Sequence, residues 1–472
     1  MPRPFEVPSA PAKIMLMLSA IRHPDEELSN RIRQDAARVE PRSLRTYTPT
    51  QAVLVRSAGI YHWTPEGKRL FDFTSGVLVA NLGHNPIRWM ERFRGYMGWT
   101  GDKPVSPAPE GYFSGVAFSA YNALTPLEVT ASERLAQFMH TRPTGRRMQQ
   151  VLWAASGSEA IQKALWAALA KDRTRPMIVA TRYGFHGKKG LSNAITGSET
   201  DAERDPRVKF ISFPMAECRD LSQRDDPFDA TPYEAELNLL LHQYGRKIGT
   251  LITEPYLGGG GSYHPPSAYL QLLQRFCREH DIIFILDEVQ SNFGRTGDPF
   301  AFDKHWLEPD LVVLGKGLGN GVPVAAVVGR GDIFDALEYG EGSDTWSANP
   351  LQCAAVMATL DEFEPGDMME PGFESSPVIE AGLVGLKRFP FVAHVRGERG
   401  GMVWGVEFQS PEFANRFILE SYLGAGGTND GVHLLGPLAK KVVRISPPLV
   451  TTVAEANDAL AILHAAAERM AH

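Results

Sequence analysis

The chain has 472 residues, with 48 Lys and Arg against 55 Asp and Glu, which gives a net charge of −7. A hydrophobic content of 43% excludes a disordered chain, because such a sequence can bury a large core. The mild acidity and the lack of a basic block interleaved with aromatic residues argue against a nucleic-acid-binding protein.

The N-terminal part of the chain predicts little regular structure before residue 50. Residues 1–13 are rich in proline and are expected to be loosely ordered. The apolar segment Ile14–Ile21 is shorter than the roughly 18 residues that a membrane span needs, and we expect it to pack against the protein body or a partner subunit. From Gln51 to Asp72, β-type runs alternate with turn residues, which predicts a small hairpin.

Three short apolar runs in the middle of the chain predict buried strands: Thr250–Thr253, Ile282–Leu286 and Leu311–Leu314. Helical patterns lie between them, which is typical of an α/β fold with a mostly parallel sheet covered on both faces. A reactive side chain follows each run, namely Glu254, Asp287 and Lys316. Since open α/β sheets bind ligands at the carboxyl ends of their strands, these residues are candidates for a functional site.

The C-terminal part predicts a second, smaller α/β domain. A helical stretch follows Pro350, strand-like pieces follow at residues 402–408 and 441–446, and an Ala-rich helix covers Val453–Ala471.

The segment Ser156-Gly157-Ser158-Glu159-Ala160 lies between a β-type run and an apolar helical pattern. A helix N-terminus offers unpaired N–H groups, Gly157 permits a close approach and Ser158 adds a hydroxyl, so a phosphate group would bind well here. An ordinary serine cap without a ligand is the alternative.

Two further residues carry reactive chemistry. Asp287 follows a buried strand, where a carboxylate needs a cationic partner such as a protonated heterocyclic nitrogen. Lys316 lies between glycines in Gly315-Lys316-Gly317, and a lysine with a lowered pKa is the side chain that forms Schiff bases. The alternatives are a solvated carboxylate and a surface lysine in a flexible loop.

Three weaker signals accompany them. Phe185, beside His186, offers a face for stacking on a planar ring, Thr345 supplies a hydroxyl in a turn, and Arg444 is suited to a bidentate carboxylate contact. A core aromatic, an ordinary turn residue and a surface arginine are the alternatives.

Metal and hydrolase motifs are missing from the sequence. No HExxH, CxxC or EF-hand spacing occurs, so no metal is expected, and no G-x-S-x-G elbow indicates a serine hydrolase. The three cysteines, Cys218, Cys277 and Cys353, are far apart, which favours a reducing cytoplasmic location.

Taken in order, these motifs resemble the class III aminotransferases, which use pyridoxal phosphate. The matching segments are TSGVLVANLGHNP (74–86), SGSEA (156–160), FHG (185–187), EP…GGGG (254–261), LDEVQSNFGRTG (286–297), GKGLGNGVP (315–323), TWSANP (345–350) and RISPPL (444–449). The resemblance implies a fold-type I enzyme. It would have an N-terminal segment (1–85), a large cofactor-binding domain (86–350) and a C-terminal small domain (351–472).

The resemblance also implies roles for individual residues. Lys316 would hold the cofactor as an internal aldimine and later move the substrate proton, while Asp287 would pair with the pyridine nitrogen. The other residues implied in cofactor binding are Gly157 and Ser158 at the phosphate, Val289 and Phe185 on the two ring faces, Gln290 at the ring hydroxyl, His186, Glu254, and Thr345 from the neighbouring subunit of a homodimer. Arg444 matches the arginine that holds the substrate carboxylate.

Two positions depart from the family pattern. Ornithine and 4-aminobutyrate members carry a glutamate where this chain has Gly259, and acetylornithine enzymes carry an arginine where it has Lys188. The expected activity is ping-pong transfer of an amino group from an amine or ω-amino acid to a 2-oxo acid such as pyruvate or 2-oxoglutarate. A racemase, decarboxylase or aminomutase of the same fold, or a non-catalytic relative, is the alternative.

Overall fold

The computed structural model describes residues 20–99, 109–121, 123–201, 204–424 and 429–472. The proline-rich start and most of the apolar segment Ile14–Ile21 lie outside these residues. Within the described ranges, no helix combines the length and the apolar composition needed to cross a membrane.

The strands of the described residues form three sheets. In chain order they are β1 Arg56–Ala58, β2 Tyr61–Trp63, β3 Arg69–Asp72, β4 Gln150–Ala154, β5 Met177–Thr181, β6 Val208–Ile211, β7 Ile248–Thr253, β8 Ile283–Asp287, β9 Leu311–Leu314, β10 Ala325–Gly329, β11 Val392–Gly397, β12 Trp404–Phe408, β13 Asp430–His433 and β14 Val442–Ile445.

The helices of the same residues alternate with these strands. The α-helical segments are α1 Glu27–Val39, α2 Ser75–Leu78, α3 Ile87–Tyr96, α4 Pro126–His140, α5 Gly157–Lys171, α6 Gly190–Ala194, α7 Thr231–Tyr244, α8 Ser267–Glu279, α9 Ala301–Lys304, α10 Gly331–Phe334, α11 Pro350–Phe363, α12 Glu370–Gly385, α13 Pro411–Leu423 and α14 Val453–Ala471. Short 3₁₀ turns cover Arg42–Leu44, Leu221–Gln223, Gly245–Lys247, Lys316–Gly319, Asp367–Met369 and Leu386–Arg388.

The central sheet has seven strands in the order β4-β10-β9-β8-β7-β5-β6. The five strands from β9 to β6 are parallel, and β10 is antiparallel to both of its neighbours. Strands β7 and β9 are buried along their whole length, as expected for a sheet with helices on both faces. The predicted α/β fold with a mostly parallel sheet is confirmed.

Two smaller sheets combine distant parts of the chain. One has the order β1-β2-β3-β13, in which β13 joins parallel to β3, and the other has the order β11-β12-β14. We propose that the division at residues 85 and 350 separates domains, since every strand of the central sheet lies between residues 150 and 329.

The elements follow the sequence pattern closely where apolar periodicity is strong. The run Thr250–Thr253 lies within β7, Leu311–Leu314 coincides with β9, and Ile282–Leu286 overlaps β8 in all but its first residue. The Ala-rich segment forms α14 over the predicted residues. Residues 51–72 differ from prediction because they form three antiparallel strands rather than one hairpin. Two reversals account for this, at Gly59 and at Gly67, and both glycines have positive φ.

Candidate active site

The carboxyl ends of adjacent parallel strands bring the three reactive residues to one edge of the sheet. Glu254 follows β7, Asp287 ends β8 and Lys316 follows β9 by two residues. These strands are neighbours in the order β9-β8-β7, so the loops after them converge. The predicted grouping of Glu254, Asp287 and Lys316 at one sheet edge therefore follows from the observed topology.

Asp287 is held by a buried histidine from a different loop. The Nδ1 atom of His186 lies 2.7 Å from Oδ2 of Asp287, and the N–H of Val289 donates to Oδ1 over 3.0 Å. Burial alone would lower the pKa of His186, but the Asp287 carboxylate outweighs it and raises the pKa above its ordinary value. The pair fixes the carboxylate orientation while its remaining lone pairs stay available.

A second polar chain joins Glu254 to Arg444 through Gln290. The amide nitrogen of Gln290 donates to Oε1 of Glu254 over 3.3 Å, and Nη1 of Arg444 donates to the amide oxygen of Gln290 over 2.9 Å. Burial raises the pKa of Glu254 to about 7, with His186 opposing and Asp287 adding to the rise. The N–H of Phe185 also donates to Glu254, over 2.8 Å.

Arg444 is a buried cation without an ionic partner. It is 3% exposed, its Nε atom has no hydrogen-bond partner, and no carboxylate of the described residues forms an ion pair with it. Burial lowers the pKa of its guanidinium. Since a buried charge is costly unless it is paired, this arrangement favours the binding of an anionic ligand at Arg444.

Lys316 is partly buried and has an unusual backbone. Its φ is +46°, in the left-handed region that a residue with a side chain adopts at a cost of about 1–3 kcal/mol. Burial lowers the pKa of its amine to about 8, and the positive charge of Arg444 contributes to this decrease. The carboxylates of Asp287 and Glu254 oppose it by raising the pKa. A lysine of this kind is partly neutral near physiological pH and can act as a nucleophile or a base.

The N-terminus of α5 is prepared for an anion. Ser156 caps the helix by accepting the N–H of Glu159, and no described residue accepts the N–H groups of Gly157 and Ser158. A Cβ built at Gly157 would lie 3.1 Å from Cγ1 of Val289, so a larger residue would crowd this contact. The first residue of α5 and Val289, two residues after Asp287, are thereby packed together.

Phe185 and Gly259 are in close contact. Phe185 is 39% exposed, and a Cβ built at Gly259 would lie 2.8 Å from its Cβ. A glutamate at position 259 would therefore displace Phe185. This contact gives a physical reason for a glycine at position 259.

Thr345 is not brought to the other candidate residues of its own chain. It is exposed in the loop before α11, and no hydrogen bond of its hydroxyl to another described residue occurs. The loop itself is fixed, because Lys163 of α5 donates to Asp344 over 2.6 Å and to Ser347 over 3.1 Å.

Sequence reasoning missed a strained turn beside the site. Ser75, Gly76, Val77 and Leu78 all have positive φ, from +49° to +69°. The hydroxyl of Ser75 donates to the carbonyl of Ser446, and Nη2 of the buried Arg295 donates to the same hydroxyl. A β-branched residue such as Val77 rarely adopts this conformation. The residue types of Ser75, Val77 and Leu78 therefore do not predict a left-handed backbone at this turn.

Comparison with known proteins gives a consistent family. A family model described as aminotransferase class-III matches residues 116–467. A probable 4-aminobutyrate aminotransferase of Bacillus subtilis is 26% identical over 428 residues, which cover 88% of this chain and 92% of that protein. An acetylornithine aminotransferase of Agrobacterium fabrum is 29% identical over 421 residues, covering 87% and 92%.

Solved structures share the fold. The ornithine aminotransferase of Toxoplasma gondii has a TM-score of 0.76 at 20% identity, covering 94% of this chain and 95% of that chain. An amine transaminase of an uncultivated Pseudomonas species, solved in its PLP-bound form, has a TM-score of 0.73 at 24% identity, covering 91% and 96%. The chain therefore belongs to the class-III aminotransferases and is a pyridoxal-phosphate-dependent enzyme of that family.

Proposed function

We propose that this enzyme transfers an amino group from a terminal amine or ω-amino acid to a 2-oxo acid, such as pyruvate or 2-oxoglutarate, by a ping-pong mechanism. The observation that carries the proposal is the buried Arg444, which forms no ion pair among the described residues. It lies in β14 of a different sheet, yet its charge is close enough to Lys316 to lower the pKa of that amine. A 2-oxo acid and an ω-amino acid can each offer a carboxylate to this arginine. The names of the relatives, which include 4-aminobutyrate, acetylornithine and ω-aminotransferases, support this donor class.

The residues present fit pyridoxal phosphate. The free N–H groups of Gly157 and Ser158 at the start of α5 suit its phosphate. Because a side chain at position 157 would crowd Val289, a glycine suits this position, and the phosphate can approach the backbone closely. Phe185 and Val289 would lie against the ring, with Gln290, His186 and Glu254 around it. When bound, pyridoxal phosphate supplies an electron sink for the negative charge that remains on a substrate carbon after it loses its proton.

Asp287 would keep the pyridine nitrogen protonated. A carboxylate in this buried setting stabilises a cation, and His186 holds it in a fixed orientation by the 2.7 Å contact. The role of His186 is therefore to position Asp287, and to prevent the carboxylate from turning away from the ring.

Lys316 would carry the cofactor and then move protons. With a pKa lowered to about 8, its amine is neutral in a substantial fraction of molecules at pH 7.5, as a base must be. A neutral Lys316 amine would accept the proton from the substrate Cα and, as the ammonium, would donate it to the neighbouring reacting carbon.

Arg444 would bind the carboxylate of both substrates. Among the described residues its side chain donates one hydrogen bond, to Gln290, and its Nε has no partner, so a carboxylate can use the remaining donors. A carboxylate at this position also offsets the cost of the buried charge. Among the described residues no carboxylate forms an ion pair with the guanidinium, and position 259, a glycine, offers none.

A homodimer would complete the site. Thr345 is exposed, and its hydroxyl makes no hydrogen bond to the other described residues of its own chain. This supports a role at the phosphate in the partner subunit. The adjacent Trp346 is 61% exposed, and Tyr112 is 77% exposed. Large exposed aromatic side chains are enriched in the surfaces that proteins bury on association.

The proposal is tested with purified enzyme saturated with pyridoxal phosphate and a panel of donors. The panel contains ω-amino acids, diamines and simple amines, each with pyruvate or 2-oxoglutarate. We expect parallel double-reciprocal plots, and one equivalent of carbonyl product per site when the donor is added without acceptor.

Two outcomes contradict the proposal. A reaction that releases carbon dioxide, or one that converts the donor continuously without an acceptor, would indicate a decarboxylase or a racemase. The control is Lys316→Ala, which should yield no carbonyl product with any donor and should retain the fold by circular dichroism.

A further inference from the structure

Three side chains from one short stretch of the N-terminal part of the chain form a largely buried cluster that shares no residue with the proposed ligand-binding set. His62 lies in β2, Asp72 ends β3, and His84 follows the strained turn after β3. One ligand atom from each, two imidazole nitrogens and a carboxylate oxygen, lies within 4.8 Å of the others. None of the three has a role in the proposed amino transfer.

Both histidines direct a nitrogen at the same carboxylate oxygen. The Nε2 atom of His84 lies 2.6 Å from Oδ2 of Asp72, and Nε2 of His62 lies 3.4 Å from it. Asp72 is fully buried and His62 is nearly so, whereas the side chain of His84 is 17% exposed. The cluster is thus shielded from water but is accessible on the side of His84.

The groups behind the cluster hold it in place. Nδ1 of His62 lies 2.7 Å from the hydroxyl of Ser57, which fixes the ring with Nε2 directed towards Asp72. Oδ1 of Asp72 accepts the N–H and the hydroxyl of Thr74, which leaves Oδ2 for the cluster. Hydrogen bonds of this kind to the far nitrogen of a histidine are typical of metal ligands.

A third imidazole lies beside these two. His433 of β13 pairs with Asp72 across the strands, and its ring centre lies 5.7 Å from that of His62. Its Nδ1 atom is buried and has no hydrogen-bond partner in the part of the chain that the structure describes. Since buried polar atoms are normally paired, an unpaired imidazole nitrogen next to this carboxylate points to a ligand that is bound by nitrogen and oxygen atoms.

We propose that His62, Asp72 and His84 bind a divalent first-row transition ion, with zinc favoured, and that His433 adds a fourth ligand. Imidazole and carboxylate are common zinc ligands, and ligand atoms of a tetrahedral zinc site lie about 3.3 Å apart. The separation of 3.4 Å between His62 and Asp72 already fits this value. The contact between His84 and Asp72 would lengthen by about 0.7 Å as the metal replaces the hydrogen bond.

The ion would join the N-terminal and C-terminal parts of the small sheet. Its ligands come from β2, β3, the loop that carries His84, and β13, which is separated from them by more than 300 residues of chain. The expected role is structural, since a closed set of four protein ligands leaves no open coordination position for a substrate.

The test uses the full-length holoenzyme without a polyhistidine tag, stripped of metal by a chelator and titrated with Co²⁺ alone. Tetrahedral Co²⁺ sites absorb visible light far more strongly than aqueous Co²⁺. We expect one equivalent per chain to give such bands, and Zn²⁺ to displace them. His62→Gln and His84→Gln should remove the bands, while His242→Gln, at an exposed histidine of α7, should leave them unchanged.

The substitution Ser57→Ala tests the site without removing any of the proposed metal ligands. It should weaken Co²⁺ binding by roughly 10-fold, as loss of a hydrogen bond behind a metal ligand does, and decides the question if the histidine variants fail to fold. Absence of the bands in the wild type, or bands that persist in His62→Gln and Ser57→Ala alike, would overturn the proposal. The cluster would then be a hydrogen-bond network around Asp72 only.

Discussion

Lys316 combines a strained backbone, partial burial and a neighbouring positive charge. Its motif was recognisable because glycines flank it directly after an apolar strand. The size of the decrease in its pKa could not be recognised in the sequence. One of its causes, the charge of Arg444, comes from a residue that lies 128 positions further along the chain. The sequence therefore predicts which lysine is reactive, whereas its degree of activation depends on tertiary contacts.

The lowered pKa of Lys316 predicts how the cofactor-free enzyme takes up pyridoxal phosphate as pH changes. Only the neutral amine attacks an aldehyde, so the rate of uptake should rise with pH, reach half of its maximum near pH 8 and level off above about pH 9. The rate for an unperturbed lysine would reach half of its maximum only near pH 10.4. Stopped-flow absorbance between pH 6 and pH 10 checks this, and a rate that keeps rising beyond pH 9.5 would contradict it.

Arg444 predicts a change that depends on the charge of the substrate. Arg444→Gln should lower kcat/KM for 2-oxo acids and ω-amino acids on the order of 100-fold, because a carboxylate loses a buried, charge-assisted contact. For a simple amine donor without a carboxylate, the half-reaction rate should change only slightly. Arg399→Gln, at an exposed arginine, is the matched control. An equal loss for both kinds of donor would indicate a structural role instead.

Among the elements, helices and buried strands with strong apolar periodicity were predictable, and their arrangement was not. The α14 segment matches its predicted range, since a Thr452–Glu455 capping box and a continuous apolar face define it locally. By contrast, β10 lies between β4 and β9 and runs antiparallel to both. Nothing local distinguishes it from a parallel strand, because strand order depends on contacts between distant residues.

Helix α5 has two functions in the proposed site. Its N-terminus offers Gly157 and Ser158, and its buried Lys163 anchors the loop that carries Thr345 by donating to Asp344 and to the carbonyl of Trp153. In the proposed dimer, this one helix would serve the cofactor of its own subunit and, through the loop, that of the partner.

Lys163→Met should loosen this loop. Removing one member of a buried ion pair leaves Asp344 without its partner, so hydrogen exchange across residues 343–349 should accelerate and cofactor affinity should fall about 10-fold. Lys171→Met, which breaks an exposed pair with Asp332 at the other end of the same helix, is the control and should change neither. Unchanged exchange in Lys163→Met would show that the loop is held by other contacts.

At the scale of the whole molecule, the proposed dimer explains exposed aromatic residues that the monomer leaves uncovered. Trp346 is 61% exposed and is adjacent to Thr345, so it would lie at the proposed dimer interface. Trp306 is similarly exposed but precedes the amino end of β9, at the opposite edge of the sheet from the site. The sequence could not show these surfaces, because exposure depends on the complete fold.

Trp346→Ala should weaken the dimer. Loss of a large aromatic anchor costs about 2 kcal/mol or more in a protein interface, so the dissociation constant should rise at least ~30-fold, and cofactor affinity should fall with it. Sedimentation across a dilution series measures the first effect and absorbance the second. Trp306→Ala should leave both unchanged, and a Trp346→Ala enzyme with wild-type association would place the interface elsewhere.

The central claim, that Lys316 carries the cofactor of a class-III aminotransferase, is tested most directly by locating the attachment. The holoenzyme is reduced with borohydride, digested and analysed by peptide mass spectrometry. We predict a single pyridoxyl adduct, on the peptide that contains Lys316, and its loss when an amino donor is added before reduction. An adduct confined to another lysine, or none at saturating cofactor, would contradict the claim.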